Sequence, residues 1–218
     1  MFSRLQNLFS NPLQILYVLP AILIGLTVHE WAHAYAAYKL GDPTARNLGR
    51  MTLNPLAHVD IFGFICLLLV GFGWAKPVPI NTRNFKNYKR DEMIVSLAGI
   101  AMNLLVAFVF SFLLYIGVLK LNLWENEAFM MIFYAIITIN LSLAVFNLLP
   151  FYPLDGSHVL ECLLGHRIPR FFLFMRQDGQ YILIILLLTG VIGNVLSYLV
   201  NGIMSGFLGL AHAFISLF

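Results

Sequence analysis

Thr27-Val28-His29-Glu30-Trp31-Ala32-His33 closes an uncharged run that begins at Leu5. Histidines at i and i+4 lie on one face of a helix, one turn apart. Two imidazoles so placed can hold one Zn²⁺, with the intervening glutamate aimed at a water on the metal. The run from Leu5 to Val28 is long enough to cross a bilayer, which takes about 20 apolar residues. A metal-ligating pattern inside a membrane-length segment decides the class: an integral membrane protein with a zinc site below the lipid surface.

The rest of the composition agrees. The chain has 218 residues, 60% hydrophobic and 11% charged, where a soluble domain averages about 25% charged. Further uncharged runs cover 61–75, 93–119, 128–154 and 179–218. All but 61–75 suffice for a crossing. The expected fold is an all-α polytopic membrane protein of four to six transmembrane helices, with a small re-entrant or β element beside the site. Residues 1–218 read as a single domain, with a catalytic core over about 12–165 and C-terminal membrane helices over about 180–218. No internal repeat is visible. The first run does not read as a cleaved signal peptide, since it ends in the metal motif. Cys66 and Cys162 lack a Cys-x-x-Cys partner and read as packing residues. The net charge of +3 sets topology, and nothing points to nucleic acid.

Taken in order, Asn11-Pro12 is a helix start, and the first helix runs to about Leu40 with a kink expected at Pro20. Gly41-Asp42-Pro43 stops it. The two histidines lie roughly 12 to 18 Å from that end, so the site is nearer the face where the helix stops. Segment 44–58 reads as extended, with a strand around Leu48 to Leu53, and Pro77 and Pro79 forbid helix further on. From Lys39 to Glu92, eight Lys/Arg stand against four Asp/Glu. The positive-inside rule places both flanks of 61–75 on the cytoplasmic side, so that run dips in and returns. Helices are then expected over about 92–118, 128–149 and 180–200, with the tail beyond Asn201-Gly202 either spanning or lying at the surface.

A catalytic zinc takes three protein ligands and keeps one position open. Asp155, in Pro150-Phe151-Tyr152-Pro153-Leu154-Asp155-Gly156, is the candidate third ligand. It follows a helix that ends on the side where His33 lies, and a carboxylate just past a long apolar run is expensive unless paired or metal-bound. Its competing reading is a helix-capping aspartate. His29 and His33 could be buried hydrogen-bonded histidines, but an intramembrane glutamate between them favours the metal. Asn140 and Asn147 share one helix face. Asn147, closer to Asp155, is the candidate oxyanion donor, while Asn140 suits interhelical hydrogen bonding. His58 reads as an interfacial surface histidine in preference to a gate. His158 reads as exposed at the start of a cytoplasmic helix, and His166 and His212 as structural. Leu48–Leu53 with the Pro77–Ile80 arm could offer a sheet edge that holds an unwound substrate extended.

Three blocks in order resemble the site-2 protease family of intramembrane zinc metalloproteases, in its compact bacterial branch without a PDZ domain. They are His29-Glu30-Trp31-Ala32-His33; Asn54-Pro55-Leu56-Ala57-His58-Val59-Asp60 with Gly73-Trp74-Ala75-Lys76-Pro77-Val78-Pro79; and Asn147 to Gly156. The resemblance implies cleavage of peptide bonds in or near a substrate's transmembrane helix, one zinc on His29, His33 and Asp155, and Glu30 as general base. It implies single-span membrane proteins as substrates, the lipid bilayer as surroundings, a possible regulatory membrane partner, and a bacterial inner membrane with the site nearer the cytoplasm. One departure stands out: Ala98-Gly99-Ile100-Ala101-Met102-Asn103 has isoleucine where the family usually has proline. A membrane zinc transporter and an inactive protease-like scaffold are the rival readings. A transporter needs no glutamate between its histidines, and a scaffold needs no base.

Overall fold

The computed structural model describes residues 13–70 and 73–217, so the expected start at Asn11-Pro12 lies outside the described residues. In chain order these residues form α1 (Leu13–Lys39), the short α2 (Thr44–Asn47), α3 (Ile61–Val70), α4 (Tyr88–Lys120), α5 (Glu127–Asn147), α6 (Asp155–Leu164), α7 (Pro169–Leu188) and α8 (Val191–Ile215). Five of them, α1, α4, α5, α7 and α8, are long and apolar enough to cross a membrane. The chain is an all-α integral membrane protein.

Local chemistry sets the helix ends. Asn87 accepts a hydrogen bond from the Arg90 N–H at the start of α4, and Asn126 accepts from the Phe129 N–H at the start of α5. Both satisfy donors that a helix start leaves unpaired. Pro20 lies inside α1, which continues through it as one helix. α1, α4 and α5 pack against one another, α8 covers α4 and α5, and α6 lies on α4. Ala107, Leu114, Ile137, Leu141, Val145 and Val200 form the largest buried apolar cluster among the described residues.

α3 is ten residues long, about 15 Å at the helical rise and half of what a crossing needs. Val59 and Ala75, on either side of it, form an antiparallel bridge, and the Lys76 N–H donates to the His58 carbonyl at 2.8 Å. A segment whose two ends pair side by side starts and finishes on one side of the membrane. The re-entrant reading of 61–75 therefore stands, with helix as its inward limb.

Two expectations are corrected. Leu48–Leu53 is not a strand: among the described residues the β component is the single Val59–Ala75 bridge, and α2 occupies the start of the segment read as extended. Most donors of the arm are also committed. Pro77 and Pro79 have no N–H, the Lys76 N–H is taken by His58, and the Val78 N–H by Glu30. The second correction is at the C-terminal end, where one helix over 180–200 was expected. The run is split at Thr189-Gly190 into α7 and α8, and α7 begins at Pro169. An uncharged stretch gives no charge signal for such a break, and Arg170, Arg176 and Asp178 obscured the start of α7.

Candidate metal centre

α1 presents His29, Glu30 and His33, all buried. Asp155 is the first residue of α6, delivered by the turn that follows α5. Its Oδ2 lies 3.2 Å from His29 Nε2 and 3.3 Å from His33 Nε2, and the two Nε2 atoms are 2.9 Å apart. All three ligand atoms lie within 4.8 Å of one another. The structure thus brings together the two imidazoles and the distant carboxylate that the sequence reading grouped.

Two glycines make that approach possible. A Cβ at Gly99 would lie 2.6 Å from His29 Cε1 and from His33 Nε2, so any larger residue would push α4 off the imidazoles. A Cβ at Gly156 would lie 2.2 Å from the Leu148 carbonyl oxygen, so the start of α6 nests directly on the end of α5.

The partners on the far side of each imidazole decide its tautomer. Asn103 Nδ2 donates to the Gly25 carbonyl at 3.0 Å and to Asn140 Oδ1 at 2.9 Å. With its amino group so committed, Asn103 Oδ1 accepts from His29 Nδ1–H at 2.6 Å. His33 Nδ1–H donates to the Val95 carbonyl at 2.8 Å. A neutral imidazole with its proton on Nδ1 has a lone pair on Nε2. Both lone pairs therefore point at a carboxylate oxygen that is itself buried and has no hydrogen-bond partner among the described residues. Three electron-pair donors converging on one point repel unless a cation sits between them. The donor set of two imidazole nitrogens and one carboxylate oxygen, each with an outer hydrogen-bond anchor or a rigid turn behind it, fits a divalent metal.

Glu30 Oε2 accepts the Val78 N–H at 2.8 Å, which ties the extended arm to α1. Val78 packs on Ala34 and Ala45, and Arg50 clamps the arm by donating to the Lys76 carbonyl at 2.8 Å. The triad and Glu30 face a cavity of about 1010 Å³ whose walls include Trp74, Phe146, Asn147, His158 and Ile184.

Asn147 lines this cavity, with its Nδ2 donating to the Leu143 carbonyl at 3.0 Å. Asn140 has the interhelical role expected of it. His58 does not sit at the surface: it is fully buried, its Nε2–H donates to the Thr52 carbonyl at 2.7 Å, and it is absent from the cavity lining. A histidine next to a proline turn looks interfacial in sequence, but its ring turns inward onto the Thr52 carbonyl. His158 is half-exposed, faces the cavity and lies 3.3 Å from Glu92 through its Nδ1. Asn103 was missed as an anchor for His29. The signal available was a lone amide in the uncharged run 93–119, which needs partners at that depth.

A five-helix membrane bundle carrying a buried, cation-demanding His-His-Asp set beside a glutamate defines the class as a membrane metalloenzyme fold. The profile of Peptidase family M50 matches residues 115–190. The chain is 44% identical over 160 residues to YwhC of Bacillus subtilis (strain 168), named as a candidate zinc metalloprotease, covering 70% of this chain and 72% of that one. It is 30% identical over 183 residues to Rip2 of Mycolicibacterium smegmatis, named likewise, covering 79% of this chain and 66% of that one. Rip2 of Mycobacterium tuberculosis (strain H37Rv) is 28% identical over 179 residues, covering 78% and 66%. No solved structure matches. The chain belongs to peptidase family M50, the site-2 protease family.

Proposed function

We propose that this protein is a zinc-dependent intramembrane endopeptidase that cleaves single-span membrane proteins in or near their transmembrane segments. The observation that carries the reading is the convergence of His29 Nε2, His33 Nε2 and Asp155 Oδ2 within 4.8 Å. Family membership and the zinc metalloprotease names of the relatives support zinc as the cation. When bound, zinc supplies Lewis-acid polarisation of the scissile carbonyl and acidifies water at the site. His29, His33 and Asp155 would hold the ion, and Asn103 and the Val95 carbonyl, by engaging both Nδ1 atoms, leave both Nε2 atoms free for it.

Glu30 lies one residue from His29 on the same helix and opens on the same cavity. It takes a proton from the attacking water and delivers it to the amide nitrogen as the C–N bond breaks. The Val78 N–H steadies the carboxylate in that position. Asn147 spends one amide N–H on Leu143 and has a second to offer the oxyanion. The basic flanks of 61–75 support an orientation with the end of α1 and the start of α4 towards the cytoplasm, and with it a site that opens nearer that side of a bacterial inner membrane.

Co-expression with candidate single-span substrates tests this. Wild type cleaves, whereas Glu30→Gln and Asp155→Ala do not while still inserting in the membrane. Cleavage that survives both substitutions overturns the reading.

A further inference from the structure

The cavity holds a second polar feature that metal chemistry leaves unused. Glu92, on α4, and His158, on α6, both line it. His158 Nδ1 approaches Glu92 Oε1 at 3.3 Å, but Glu92 Oε2 is buried and has no hydrogen-bond partner among the described residues. The Glu92 side chain is 14% exposed. A carboxylate oxygen that is cut off from water and unpaired is costly, and the cost falls away when a cation or a donor comes to it.

Position says which ligand that is. Val95, whose carbonyl anchors His33, lies three residues further along α4, so Glu92 sits about 4.5 Å nearer the start of α4. An extended peptide advances about 3.3 Å per residue. A chain held at the triad therefore brings a side chain to Glu92 one or two residues from the scissile bond, on the side towards the end of α1. That face carries this protein's own basic residues, and the rule that puts them there also puts Lys and Arg at the same end of a substrate's span. The cavity wall as a whole is largely apolar, Phe146 and Ile184 included, which suits the stem of a long basic side chain as well as a span.

We infer that Glu92 is a specificity residue: with His158 beside it, it forms an acidic subsite for a Lys or Arg one or two residues from the cleaved bond. This rests on the peptidase reading above and adds the substrate's charge pattern. His158 engages Oε1 alone, and turning the carboxylate brings its unpaired Oε2 to the incoming N–H. A charged donor meeting a largely desolvated carboxylate gives selectivity of about tenfold or more over a neutral residue of the same length.

The test uses the full chain in liposomes with zinc and a single-span substrate in matched versions, with Lys, Met or Glu at each of the two positions on either side of the cleaved bond. Wild type is expected to cleave one Lys version at least tenfold more efficiently than its Met counterpart. In Glu92→Gln that ratio drops towards one, and in Glu92→Lys the Glu version overtakes the Lys version. Photo-crosslinking to the Glu30→Gln background should show the same order of preference, placing the effect in binding. No Lys preference in wild type, or a preference that Glu92→Gln leaves intact, overturns the subsite while the peptidase reading survives. That second result assigns Glu92 to His158 as a structural pair. If wild type cleaves no version and Glu30→Gln matches it, the peptidase reading fails first and takes the subsite with it.

Discussion

Asn103 does at residue scale what a zinc ligand does one shell further in. Its Nδ2 is committed to Gly25 and Asn140, so its Oδ1 can only accept, and His29 must carry its proton on Nδ1. Asn103→Ala removes that instruction and is expected to weaken zinc binding by about 10- to 100-fold, read by competition with a fluorescent chelator. Unchanged affinity would show that the tautomer is fixed otherwise. Gly99→Ala should be harsher, because a methyl 2.6 Å from both imidazoles cannot fit without moving α4. Zinc occupancy is expected to be lost with helix content kept by circular dichroism. Of this site, His29, Glu30, His33 and Asp155 were legible in the sequence, since spacing and the cost of intramembrane charge are written there. Asn103, Glu92 and the buried state of His58 were not, because each depends on which helix faces which.

At the scale of the element, the arm 75–81 is positioned by a residue that looked like a mere helix stop. Asp42 is fully buried and accepts from the Asn81 N–H at 2.7 Å and from Asn84 Nδ2 at 2.7 Å, as well as from Thr44. It thereby ties the end of α1 to the arm whose Val78 holds Glu30. Burial pushes its carboxyl up, but hydrogen bonds from Thr44, Asn81 and Asn84 outweigh it and hold it below the ordinary value. Its stabilisation is therefore fully present above the unfolded value of about 3.9 and is lost as pH falls through the lower native one. Asp42→Ala is expected to cost about 2 to 3 kcal/mol, seen as a lower Tm in detergent at neutral pH, with the gap to wild type closing under acid. A gap that holds constant at low pH would contradict the ionised role. Helix existence was readable here from apolar run length, while the strand reading of 48–53 failed. The apolar residues there bury little: Leu48 and Leu53 are exposed, and without a partner edge no strand forms.

At the scale of the whole molecule, the paired ends of the re-entrant segment fix the threading. With Cys66 and Cys162 replaced by alanine, Leu48→Cys and Arg83→Cys should react with a membrane-impermeant maleimide from one side. Trp124→Cys, between α4 and α5, should react from the other. Leu48→Cys and Arg83→Cys labelling from opposite sides would make 61–75 a crossing. The expected four to six membrane helices hold, with five found, and what the last uncharged run hid was where its break falls, at Thr189-Gly190. The claim on which everything depends is that two imidazoles of α1 and one carboxylate of α6 hold a single zinc. Zinc X-ray absorption on the purified, zinc-loaded protein tests it most directly. A first shell of nitrogen and oxygen scatterers at about 2.0 to 2.2 Å, with two imidazole signatures that fall to one in His33→Ala, is the expected result. A sulfur shell near about 2.3 Å, or a spectrum indifferent to both His33→Ala and Asp155→Ala, would contradict it.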